Sequence, residues 1–136
     1  MIKYSRIISK IFEKFFEENN FQITEATNDL IEFKSKNLSI KFFKNSYSYE
    51  YTFFISHECL DVEIDDKMLK EFLVVKRNHI FSDNSQEKKI ENWAIEQLEF
   101  FEKNKVQLFS GEKDFFQKLN VYFNKKTEEY NKKFSH

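Results

Sequence analysis

His57, Glu58, Cys59 and Asp61 crowd into five consecutive positions, and chemistry would be sought there first in this 136-residue sequence. An imidazole beside a thiol is the base–nucleophile pair of cysteine catalysis, and a carboxylate commonly orients the base. Extended backbone places His57 and Cys59 on one face and turns Glu58 to the other, so no third group is aligned with the pair. The same four side chains carry metal-donor atoms but lack the recurring ligand spacing of a zinc site. The simpler reading is a histidine at a strand end and a small buried thiol. The other histidines, His79 and His136, stand apart. With 23 acidic residues, carboxylate pairs of the kind that flank a glycosidic bond arise by chance and point to nothing. A single glycine, Gly111, and no proline leave no phosphate-cradling loop and no dinucleotide fingerprint. The sequence therefore reads as a binding protein rather than an enzyme, with no catalytic residue, metal site or cofactor.

Charge is more informative than any catalytic pattern. The net charge is −1, yet residues 45–66 contain six acids (Glu50, Glu58, Asp61, Glu63, Asp65 and Asp66) and no lysine or arginine. The remainder holds all 22 basic residues against 17 acids. Beside this run, Tyr47, Tyr49, Tyr51 and Phe53 alternate onto one strand face, with Ser48, Glu50 and Thr52 opposite. Rings with polar tips next to carboxylates match the composition of protein interface cores, and the carboxylates would steer a basic partner. Tyr47, Tyr49, Glu50, Tyr51, Glu58, Asp61, Glu63, Asp65 and Asp66 are thus the expected partner-binding residues. Against this stand two plainer readings: a solvated acidic face, and a tyrosine row packed beneath helices as core. Asp65-Asp66 also suits a helix cap.

The elements that position these residues follow from periodicity. Tyr4, Ile8, Ile11, Phe12, Phe15 and Phe16 recur at helical spacing from about Lys3 to Glu18, and Asn19-Asn20 supplies a stop. Four alternating runs follow, starting at Phe21, Leu30, Leu38 and Tyr47 and separated by asparagine-containing turns, with a further short strand expected over Cys59 to Ile64. Met68, Leu69, Phe72, Leu73 and Lys76 return to helical spacing. Asn84 and Glu87 then resemble a capping box, opening a helix through Ile90, Trp93, Ala94, Leu98 and Phe101 to about Leu108. Ser110-Gly111 breaks it, and Phe115, Leu119, Tyr122, Phe123, Tyr130 and Phe134 stripe a last helix. The expected fold is α+β: an N-terminal helix, an antiparallel four- to five-stranded meander, and two to three C-terminal helices packed on one sheet face. Residues 1–136 make a single domain of ordinary size. Several strands are apolar on both sides, so the covered face is not specified by the pattern.

Composition bounds the setting. One cysteine cannot form an internal disulfide. The amphipathic N-terminal segment is neither a secretory signal nor a membrane span, and runs such as Phe72 to Val75 are too short to cross a bilayer. A cytoplasmic protein without a membrane partner is expected. Lys88-Lys89, Lys125-Lys126 and Lys132-Lys133 lie near glutamates as solvated helix faces, and without a basic excess no nucleic-acid partner is expected.

The order of elements resembles small immunity proteins of bacterial polymorphic-toxin and contact-dependent growth inhibition systems. The run Trp93 to Phe101, followed by Leu108 to Phe115 with its turn at Gly111, is similar to their helix–glycine–acid–helix ending. The resemblance lies in layout and transfers no site residue. It implies a monomer or homodimer that binds a cognate toxin domain and occludes it. The alternative is a non-catalytic structural or adaptor protein, possible as a homodimer.

Overall fold

The first apolar stripe forms α1 (Tyr4–Glu18), burying Tyr4, Ile8, Phe12, Phe15 and Phe16 along one side. The computed structural model describes residues 4–45, 50–74, 86–109 and 113–134. Asn20 closes α1 in the left-handed region at φ 65°. The Phe21 amide donates to the Phe16 carbonyl at 2.8 Å, and the Asn20 amide donates to that of Glu17 at 3.1 Å. This is the paired closure of a Schellman motif. Its usual apolar contact is made by the Phe16 and Phe21 rings, whose centroids lie 4.9 Å apart.

The chain then runs through β1 (Gln22–Ala26), β2 (Leu30–Lys34), β3 (Leu38–Lys44), β4 (Tyr51–His57) and β5 (Ile64–Asp65). These pair in chain order as one antiparallel five-stranded sheet, the expected meander. Ile31, Phe42 and Phe53 form one cross-strand row, and Phe33, Ile40, Ile55 and Ile64 form the next. All seven are essentially inaccessible. Three helices follow the sheet in addition to a short α2 (Asp66–Phe72): α3 (Gln86–Lys103), α4 (Lys105–Phe109) and α5 (Lys113–Phe134). Helices α1 and α3 pack on the buried sheet rows, where Phe42 meets Phe12 at 4.6 Å and Phe53 meets Phe101 at 5.0 Å between ring centroids.

Three expectations change, the first being that the helix expected through Leu73 and Lys76 ends at Phe72, with Val74 left-handed at φ 56°. The strand over Cys59 to Ile64 shrinks to Ile64–Asp65, because the preceding amides are spent on partners outside the sheet. Cys59 donates to the His57 ring, Leu60 to the His57 carbonyl and Asp61 to Asn120, so no ladder forms until Ile64. The helix expected to reach Leu108 is interrupted at Asn104, whose side-chain amide donates to the Phe100 carbonyl at 2.9 Å. The proposed cap residue Asn84 lies outside the described residues, as do Lys76 and Gly111.

Asp65 caps α2: its carboxylate accepts the Met68 amide at 2.9 Å from an extended backbone. We expect Asp65→Ala to cost about 1 kcal/mol in urea unfolding and Asp65→Asn much less, since asparagine keeps the accepting oxygen.

Candidate functional site

The acidic run does not assemble into one free anionic face. Glu50 is exposed at the β3–β4 end of the sheet, where its carbonyl accepts the Asn45 amide. Glu58 and Asp61 lie beyond the other end of β4. Glu58 pairs with Lys113 at 3.2 Å. Asp61 accepts from the side-chain amides of Asn124 at 3.1 Å and Asn120 at 3.3 Å, and these bonds hold its carboxyl below the usual range. Glu63 bridges Lys41 at 2.9 Å and accepts from the Ser56 hydroxyl at 3.3 Å. Asp65 is the helix cap. Asp66 is buried, accepting from the Thr52 hydroxyl at 2.7 Å.

The ring row has a similar outcome. Tyr47 and Tyr49 lie outside the described residues. Tyr51 is half-buried on the helix side, stacked on Tyr4 at 5.8 Å and tilted against Trp93 at 5.7 Å. Phe53, two residues on, is fully buried. The described part of the row therefore contributes to packing. Tyr4 is inaccessible, and its hydroxyl finds no partner among the described residues. Burial, then Tyr51 and Asp66 nearby, push that hydroxyl well above its ordinary pKa.

The possible Cys/His pair is not engaged. The Nδ1 of His57 accepts the backbone amide of Cys59 at 3.0 Å, and the ring stacks on Phe116 with centroids 4.0 Å apart and planes 7° from parallel. Among the described residues no cluster of three or more His, Cys, Asp or Glu side chains converges as a metal site. A second buried polar pair ties α2 to α3. The Lys70 ammonium, 5% exposed, donates to Gln97 Oε1 at 2.6 Å and lies 5.3 Å from the Phe100 ring centre. A shallow depression lined by Asn20, Gln22, Thr24, Lys34, Ser35 and Lys36 brings together neither acids nor histidines.

What the fold does bring together is the sheet face turned away from α1 and α3. Its rows are Leu30, Phe43 and Thr52, then Glu32, Lys41, Phe54 and Asp65, then Lys34, Ser39 and Ser56. Leu30, Phe43 and Phe54 are half-buried there. Phe43 and Phe54 are diagonal neighbours across β3 and β4. Around them polar groups are held in fixed pairs. Glu32 accepts from the hydroxyls of Thr24 at 2.6 Å and Ser39 at 2.8 Å. Partial burial would raise its pKa, but these two bonds, with Lys41 and Lys34 nearby, bring it below the ordinary value. Lys41 is held by Glu63, and this bond raises its pKa.

Sequence reasoning missed Phe43 and Phe54, although a signal was present. Phe42-Phe43 and Phe53-Phe54 are doublets, and a pleated strand sends adjacent side chains to opposite faces. If one ring of each doublet lies under helices, the other faces away. Compared with known protein families, with curated proteins and with solved structures, the chain matches none of them.

Proposed function

We propose that this domain acts by binding another protein through its open sheet face, as an immunity-type inhibitor that occludes a cognate bacterial toxin domain. The observation that supports this reading most is the pair Phe43 and Phe54, only partly buried on a sheet face where Glu32, Ser39, Lys41 and Glu63 are held in fixed bonds. Phenylalanine, with two side-chain torsions, loses less rotamer entropy on association than a long flexible side chain would. Glu25, Glu32, Glu63 and Asp65 share this face with Lys34 and Lys41, while Glu58 and Asp61 are held against α5. Carboxylates exceed ammonium groups, which fits a partner with a basic contact surface and gives a salt-sensitive association rate. Glu63 and Asp65 from the acidic run thus keep a place in the reading, Glu58 and Asp61 do not, and the rings that accompany the retained pair are Phe43 and Phe54.

The test is to look beside its gene for a large secreted protein with a variable C-terminal domain and to co-express the two. Rescue from toxicity together with a one-to-one complex is the expected result. Loss of both would remove the immunity reading. The adaptor alternative would be favoured instead by light scattering of the purified chain showing a stable symmetric dimer that Phe54→Lys dissociates.

A further inference from the structure

One bond inside the β4–β5 turn and one contact of that turn with α5 are made by the same imidazole. Three consecutive amides of the turn are tied down: Cys59 to His57 Nδ1 at 3.0 Å, Leu60 to the His57 carbonyl at 3.0 Å, and Asp61 to Asn120 Oδ1 at 3.0 Å. The His57 ring lies flat on Phe116 of α5. Outside it, Asp61 receives Asn120 and Asn124, and Glu58 meets Lys113. The first bond requires an unprotonated Nδ1, because only a nitrogen lone pair can accept the Cys59 N–H. We propose that His57 is a proton-operated latch: neutral, it fastens the β4–β5 turn onto α5; protonated, it releases the turn.

The balance is simple. A proton taken from solvent occupies the Nδ1 lone pair, and two N–H donors then face each other at 3.0 Å. Either the ring rotates off Phe116 or the turn opens. The charged groups around the ring are Glu58, next to it in the chain, and Lys113, at the start of α5. Burial dominates and lowers the imidazole pKa, Glu58 opposes it, and Lys113 adds to it. Cys59 is the adjacent thiol, while Leu38 across the strand pair and Phe116 on α5 are apolar. Asp61 stays ionised over the same range because its amide partners hold its pKa down. The remaining anchors of α5 do not involve the imidazole: Phe72 packs on Phe115 and Tyr122, and Glu71 bonds Tyr122 and Lys126. Release is therefore local to the turn.

The sign follows from linkage. A histidine whose folded pKa lies below its unfolded value of about 6.5 adds stability above that value, and the contribution is lost as pH falls through the folded pKa. The experiment uses the free full chain, so its outcome is separate from whether any partner binds. Amide exchange of residues 59–61 is followed by NMR at about pH 7.5 and about pH 5, corrected for the intrinsic pH dependence of exchange. Protection is expected to fall roughly tenfold at the lower pH, the weight of one hydrogen bond. His57→Asn should keep protection at both pH values, because an asparagine oxygen accepts the amide two residues on and does not titrate. His57→Phe, which keeps the stack and loses the acceptor, should be unprotected at both. Equal protection of the natural chain at the two pH values, or a pH-dependent loss that survives in His57→Asn, would overturn the latch.

Discussion

Phe42→Ala is expected to destabilise the domain by about 3–5 kcal/mol, while Phe43→Ala, the next residue along the same strand, costs no more than about 1 kcal/mol. Phe42 lies in the middle of β3 with no exposure, and its ring lies within 6.2 Å, centre to centre, of Phe12, Phe16, Phe33, Phe53, Trp93 and Phe101. These partners come from α1, α3 and both flanking strands, so no single element can relax into the space left by the ring. The cost is the lost transfer energy plus a cavity that stays open. A domain of this size has about 5–15 kcal/mol in total, so the variant keeps only part of its margin. Phe43 points to the other side and is only partly buried. Paired urea titrations measure the contrast directly. Equal losses at the two positions would mean that the helices do not choose one side of the sheet.

That sidedness marks the limit of what the residue pattern conveys. The stripe from Tyr4 to Phe16 specifies a helix because its spacing can serve nothing else, and Asn20 ends it by accepting a left-handed backbone. The turns at Asn28-Asp29 and Lys36-Asn37 are legible for the same local reason: each is closed by bonds between near neighbours, Thr27 to Leu30 and Ser35 to Leu38. Alternation in β4 correctly puts Tyr51 with Phe53, but period two says only that two faces exist. Which one receives helices is decided by Ile40, Phe42 and Ile55 acting together with α1 and α3, and no window of the sequence holds that information. The acidic run misleads for a related reason. Its carboxylates look alike in the chain, yet Asp66 binds a threonine inside, Asp65 caps a helix, and Asp61 is held by asparagines 59 and 63 positions away. Contacts at such separations also shorten β5, since the amide of Asp61 is claimed by Asn120.

The same sidedness separates binding from folding. In a complex with a basic partner, the double variant Phe43→Lys/Phe54→Lys is expected to lower affinity at least about 100-fold, because two central rings at about 1.4 kcal/mol or more each are lost and two cations are brought against like charge. Its unfolding midpoint should move little, since neither ring lies under α1 or α3. The companion variant Phe43→Glu/Phe54→Glu removes the same ring area but keeps the attractive sign, so it should bind more weakly than the natural chain and more tightly than the lysine pair. Salt distinguishes the two contributions further, because exposed charge pairs are screened beyond about 8 Å at physiological ionic strength while ring burial is not. Tyr51→Ala makes the opposite comparison. It strips a ring from the Tyr4–Trp93 stack and should lower stability, with affinity unchanged among molecules that remain folded. Calorimetry on the four proteins decides between the surfaces. Natural affinity in the lysine pair, with binding lost in folded Tyr51→Ala, would move the contact from the open face to the β3–β4 end of the sheet.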